Sequence, residues 1–209
     1  MIRRQAATLT LCCMFLPAFA HAGAQQEEAL AASVQAALQH SIADQAPEKA
    51  VFSNTTEAKL WLSEMSGRLE KRIPDRSQRL DFLNAVHYEA SRAGLDPQMV
   101  LGLIEVESGF RKYAVSKAGA RGYMQVMPFW TRLIGTPEHN LFHLRMNLRY
   151  GCTILRHYLD IEQGNLFRAL GRYNGSLGKA DYPNRVRASW QHWRISPLKT
   201  TAAGAKTPG

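Results

Sequence analysis

The sequence predicts a mainly helical protein, and three features predict it. Apolar residues recur at helical spacing along most of the chain. Residues that open and close helices bracket those stretches, with Gly94 and Asp96-Pro97 as the clearest pair. Strand-like alternation is scarce, and Arg111 to Ser116 is its one candidate. A length of 209 residues suits one or two domains, and 45% hydrophobic with 21% charged residues excludes full disorder.

The first 22 residues read as a secretory signal peptide. Met1-Ile2-Arg3-Arg4 is a positive start, and Ala6 to Phe19 is apolar but short for a bilayer span. Ala18-Phe19-Ala20 and Ala20-His21-Ala22 both put small residues at cleavage positions. Leu9-Thr10-Leu11-Cys12 is a poor lipoprotein signal, because the apolar run continues past Cys12. No later segment reads as a membrane span. The expected product is exported and periplasmic.

Cleavage after Ala22 removes two of the 26 Lys+Arg and none of the 17 Asp+Glu, so the net charge falls from +9 to +7. It also removes Cys12 and Cys13, leaving Cys152 alone, so no intramolecular disulfide is expected. An exported, basic, disulfide-free chain rarely meets nucleic acid. An anionic polymer of the cell envelope fits the charge better, with solubility alone as the plainer explanation.

Residues 23–76 form a helical N-terminal extension. Leu30, Val34, Leu38 and Ile42 are a regular i+4 ladder, broken at Ala46-Pro47-Glu48. Asn54-Thr55-Thr56-Glu57 reads as a capping box for a second helix carrying Leu60, Trp61, Met65 and Leu69, closed at Pro74-Asp75. Residues 77–195 form the main domain. Ser77 is the candidate cap of a helix with Leu80, Leu83, Val86, His87 and Ala90, which stops at Gly94. Asp96 as N-cap and Pro97 at the first position open the next, through Val100, Leu103, Ile104 and Glu107 to near Gly109. Residues 110–128 read as loop plus a short helix, Asn147 to Glu162 as a long helix, and Leu166 to Tyr173 as a short one. By composition, residues 196–209 read as a disordered tail.

Glu107 stands out chemically. It occupies the i+7 place of an apolar stripe, where a helix ordinarily carries another Leu. The negative end of the helix dipole and an apolar setting both disfavour its anion, which suits a general acid. Position alone leaves open a Glu that simply reaches solvent past the helix end. Glu105 is the rival, but it lies about 200° around the helix, so the two cannot serve one substrate atom as a pair. Phe129, Trp130 and Tyr123 are candidates either for stacking on sugar rings or for the core. His139 and His143 share helical spacing, but no third ligand accompanies them, so no metal and no cofactor are expected. Cys152 lies on an apolar stripe and reads as core.

The text around Glu107 carries a resemblance. Glu107-Ser108-Gly109-Phe110 is followed by Gly119-Ala120-Arg121-Gly122-Tyr123-Met124-Gln125-Val126-Met127-Pro128 and, much later, by Tyr173-Asn174-Gly175. Asn147-Leu148 precedes Gly151 at the expected distance. Over roughly residues 77–193 these resemble the ordered signatures of the soluble lytic transglycosylase (SLT) family, goose-type-lysozyme-like enzymes that cleave peptidoglycan, and the stretch Arg172 to Gly178 with Tyr182-Pro183 resembles in particular a small branch with a single catalytic domain. Tyr123 and Arg172 depart from the family's usual Leu and Ala, and Gly175 arrives one place early. No departure removes a side chain that the chemistry needs.

The resemblance implies a mainly α, lysozyme-like catalytic domain with Glu107 as its sole catalytic acid/base. It implies that Tyr173 hydrogen-bonds Glu107. It further implies that Ser116 and Gln125 bind sugar N-acetyl and hydroxyl groups, that Met127 walls the cleft, that Asn174 contacts substrate or supports Tyr173, and that Ser108 contacts substrate. The implied reaction is cleavage of the bond between N-acetylmuramic acid and N-acetylglucosamine, giving 1,6-anhydro ends. The implied partner is the peptidoglycan strand, with an envelope-spanning assembly as an optional second one. Two alternatives stay open: a hydrolytic muramidase on the same fold, and a non-catalytic wall-binding protein.

Overall fold

The computed structural model describes residues 25–43 and 56–195. The expected signal peptide, the residues of the expected capping box before Thr56, and the tail from residue 196 lie outside them. Eight helices occur among the described residues: α1 (Ala32–Ala43), α2 (Thr56–Leu69), α3 (Arg76–Arg92), α4 (Pro97–Ser108), α5 (Phe129–Ile134), α6 (Leu144–Ile161), α7 (Leu166–Asn174) and α8 (Asp181–Trp193). The β features among these residues are isolated bridges that pair Val115 with Arg121 and Arg121 with Val126. None of the described helices is long and apolar enough to cross a membrane. The expectation of a mainly helical fold is met.

Local chemistry sets the helix ends. The Asp96 carboxylate accepts from the Gln98 N–H at 2.7 Å, Pro97 opens α4, and Gly109 closes it at φ 57°. The cap of α3 differs from expectation. Asp75, and not Ser77, accepts from the Gln78 N–H at 2.7 Å, because the helix starts at Arg76 and leaves Ser77 inside its first turn. α8 was not foreseen as a helix at all. Residues 110–128 hold turns and bridges, and the short helix expected there forms just beyond, as α5.

α4 is the hub. Met99 through Ile104 are all buried, as befits a helix apolar nearly all round. It packs on α3 and most extensively on α8; α6 packs on α1, α3 and α7. Gly102 permits the α4–α8 approach, since a Cβ there would lie 2.6 Å from the Trp190 backbone nitrogen. Between α3 and α6 the buried Glu89 carboxylate accepts from Arg149 at 3.0 Å and from Arg92 at 3.1 Å. Cys152 is buried on α6, and burial pushes its thiol pKa up, as fits a core residue.

Candidate active site

Glu107 sits in the last turn of α4, one residue before the helix ends. The chain then turns sharply, with Gly109 at φ 57° and Phe110 at φ 65°. A left-handed Phe is strained, and packing holds it there. Phe110 is buried, edge-on to Phe82 at 5.9 Å and to Trp193 at 5.4 Å. The strained turn takes the chain out of α4 toward the second motif.

The Glu107 side chain keeps some surface open, while its carboxyl is closely surrounded by protein. The Tyr182 hydroxyl donates to Oε1 of that carboxyl in a very short hydrogen bond. Burial pushes the Glu107 pKa up to about 7; the Tyr182 hydrogen bond and the nearby Arg185 charge pull the other way and lose. Among the described residues, the charged group that acts on its ionisation is Arg185. Tyr182 is itself raised well above its ordinary value, first by burial, so it stays a neutral donor. The Arg185 guanidinium lies 5.9 Å from the centre of the Tyr182 ring.

Tyr173 does not make the hydrogen bond expected of it. Its hydroxyl donates to the Met124 carbonyl at 2.8 Å and braces the second motif. Tyr182, nine residues later on α8, holds Glu107 instead. Its chemistry was visible in one respect: Tyr182, Val186, Trp190 and Trp193 make a helical stripe after the acidic Asp181. Glu105 points to a structural task. Ser189 Oγ and Trp193 Nε1 donate to its Oε2 at 2.6 and 2.8 Å, and Arg72 pairs with its Oε1 at 3.5 Å.

The other expected site residues are mostly buried and bonded within the fold. Gln125 adopts φ 50° and is buried, and its Nε2 donates to the carbonyls of Ala114 at 3.1 Å and Gly122 at 2.9 Å. Met127 is half-buried, with its backbone N–H turned to Gln25 Oε1 at 3.2 Å. Asn174 is buried, and its Nδ2 has no hydrogen-bond partner. Ser116 Oγ accepts from the Ala120 N–H at 3.0 Å and closes a turn. Ser108 is buried and its hydroxyl donates back to the Ile104 carbonyl, so it faces the core and not a substrate. Tyr123, Phe129 and Trp130 are likewise core, which answers the stacking alternative. His139 hydrogen-bonds Tyr150 at 2.7 Å, and His143 stands just before α6.

Asn147 organises the loop without touching chemistry. It is wholly buried; its Oδ1 accepts from the Met124 N–H, and its Nδ2 donates to the Arg121 and Leu141 carbonyls, all within 2.9 Å. Gly122 and Gly151 make the space: a Cβ at either would lie 2.5 Å from Asn147 Nδ2 or 2.3 Å from the Met124 sulfur.

Known proteins resemble the chain over the region that carries these residues. The family described as "Transglycosylase SLT domain" matches residues 84–193. The "Transglycosylase" of Enterobacteria phage PRD1 is 28% identical over 137 residues, 61% of this chain and 51% of the phage protein. The "Membrane-bound lytic murein transglycosylase C" of Histophilus somni (strain 2336) is 43% identical over 119 residues, 49% of this chain and 32% of the relative. That of Actinobacillus pleuropneumoniae serotype 5b (strain L20) is 51% identical over 47 residues, 22% of this chain and 13% of the relative. The chain thus spans about half the length of the phage relative and a third or less of the other two. The match over more than half of its length places the chain in the transglycosylase SLT domain family.

Proposed function

We propose that the protein is a lytic transglycosylase that cleaves the β-1,4 bond between N-acetylmuramic acid and N-acetylglucosamine in peptidoglycan. One observation carries the reading: a single carboxyl, Glu107, is held by a neutral phenol with its pKa lifted to about 7. Such a group is protonated often enough near neutrality to donate, and basic enough afterwards to accept. The Tyr182 hydrogen bond occupies Oε1 and leaves Oε2 to carry the proton.

In the forward step the Glu107 Oε2 proton passes to the glycosidic oxygen as the bond to C1 breaks. The N-acetylglucosamine side departs as an alcohol. Glu107, now a carboxylate, takes the proton from the C6 hydroxyl of the same muramic ring, and that oxygen closes on C1. Atoms balance without water, and Glu107 ends protonated for the next cycle. Because the nucleophile is already tethered, little entropy is lost in bringing it to C1. An ordinary glycosidase needs a second carboxylate as base or nucleophile. The nearest rival in sequence, Glu105, is committed to Ser189, Trp193 and Arg72.

The test is a digest of purified sacculi, reduced with borohydride and read by mass spectrometry. The expected ends are 1,6-anhydromuramyl, lighter by one water and resistant to reduction. Mostly reducible ends would make the protein a hydrolytic muramidase, and undigested sacculi would favour a wall-binding role. We further propose that residues 1–22 direct export to the periplasm, where peptidoglycan strands and optionally an envelope-spanning assembly are the partners. N-terminal sequencing of periplasmic material checks the first part; a start at Met1 would overturn it.

A further inference from the structure

Residues 25–30 precede α1 without regular secondary structure. Gln26 to Ala29 are exposed, yet Gln25 is only 4% exposed. A polar side chain at the end of a solvent-facing segment is ordinarily left in water. Here its Oε1 accepts from the Met127 N–H at 3.2 Å. Its Nε2 is enclosed with no hydrogen-bond partner. The slot lies between the end of the second motif and Tyr173, whose hydroxyl lies beside the Gln25 amide but donates to the Met124 carbonyl and completes no hydrogen bond with Nε2.

The side chain and its slot match in chemistry. A glutamine carboxamide presents a carbonyl oxygen and an N–H in the same plane, as does the acetamido group at C2 of an N-acetylated sugar. The Met127 N–H is a backbone donor that Gln25 satisfies from outside the motif. We infer that residues 25–30 are a self-inhibitory strap, with Gln25 seated in an acetamide slot of the substrate groove. The inference rests on the glycan-binding reading of that groove.

The strap is held lightly. Glu27 pairs with Arg132 at 3.8 Å and Glu28 with Arg172 at 3.6 Å, and each of these glutamates is more than half exposed. Exposed pairs of this kind add little stability, and salt screens them. The enclosed, unpartnered Nε2 works against the closed arrangement. A sugar that satisfies both the donor and the acceptor can therefore displace Gln25. While the strap is closed, the apparent affinity for glycan is reduced by the closed fraction.

The experiment measures binding of tri-N-acetylchitotriose to the intact chain by calorimetry, alongside muropeptide release from sacculi. Gln25→Ala is expected to bind the trisaccharide roughly three- to tenfold more tightly, the order expected from removing one competing hydrogen bond. It should lower KM on sacculi and leave kcat alone. The double variant Glu27→Gln/Glu28→Gln, which loosens the strap away from the slot, should shift binding the same way by less. Equal, weaker or undetectable binding in folded Gln25→Ala overturns the strap; should that variant not fold, the same results in the double variant do so. The two readings fail separately: a chain that does not cleave sacculi sinks the proposed activity, whereas tighter trisaccharide binding would still support the strap.

Discussion

Glu105 and Glu107 are two residues apart and have opposite lives. Glu107 faces a phenol and is pushed toward the neutral form; Glu105 accepts two hydrogen bonds and an ion pair that fasten α4 to α8 and to Arg72. Glu107→Gln should keep the fold and lose nearly all cleavage, because an amide cannot cycle a proton. Glu105→Gln should lose stability, by about 1–2 kcal/mol for its hydrogen bonds, and keep turnover per folded molecule. Thermal melts and a sacculus digest measure both, and equal losses of turnover in two folded variants would reverse the assignment.

The same residue sets a pH dependence. Cleavage needs Glu107 protonated, so the rate should fall as pH rises through about 7. Tyr182 and Arg185 both lower this pKa, so Tyr182→Phe and Arg185→Gln should each move that limb to higher pH. Tyr182→Phe should also slow turnover, between about two- and a hundredfold for one lost hydrogen bond to the carboxyl. Tyr173→Phe loses its bond to the Met124 carbonyl instead, so it should cost stability and leave the limb in place. A pH profile moved by Tyr173→Phe and not by Tyr182→Phe would exchange their roles. Stability follows the sign of the shift. The raised pKa contributes stability below the ordinary carboxyl value of 4.5, and that contribution is lost as pH rises through about 7. Glu107→Gln should therefore melt higher than the parent at pH 8, with the advantage shrinking toward pH 5.

At the scale of elements, the α4–α8 pair positions the site, since one helix carries Glu107 and the other Tyr182 and Arg185. Gly102→Ala would drive a methyl into the Trp190 backbone and push α8 outward. A loss of about 1–3 kcal/mol is expected, with turnover falling as Tyr182 moves off Glu107. Gly67→Ala on α2 is the control, because its Cβ would meet nothing within 4 Å; it should stabilise by up to about 1 kcal/mol. A similar stability change in both would mean that the close approach does not matter. The sequence announced what is local: the Asp96-Pro97-to-Gly109 frame of α4, and an acid in an apolar stripe. It did not announce which of two tyrosines on two helices reaches that acid, since pairing across the fold leaves no spacing signal. The stripe of α8 was present but follows a run of glycines and turns, and there the turn residues dominate the local pattern. Ser108 illustrates the converse: a family motif named it, and the helix rotated it into the core.

At the scale of the molecule, the charge of +9, or +7 once residues 1–22 are removed, remains to be placed. Most of the cations with a described environment are exposed, and Lys112 and Arg121 flank the exposed Tyr113 and its neighbour Phe142. If the charge draws the protein to peptidoglycan carboxylates, attraction should fade as salt shortens the Debye length from about 30 Å at 0.01 M to about 8 Å at 0.15 M. Binding of the inactive Glu107→Gln chain to sacculi should weaken over that range. Its binding to neutral tri-N-acetylchitotriose should not weaken, because contacts within the groove do not depend on net charge. The Gln25 strap would add a small opposite effect, since salt loosens the Glu27–Arg132 and Glu28–Arg172 pairs and frees the slot. Sedimentation with sacculi and calorimetry with the trisaccharide, run across the same salt series, separate the two. Sacculus binding that ignores salt would reduce the charge to a solubility property, leaving recognition to uncharged contacts around Glu107.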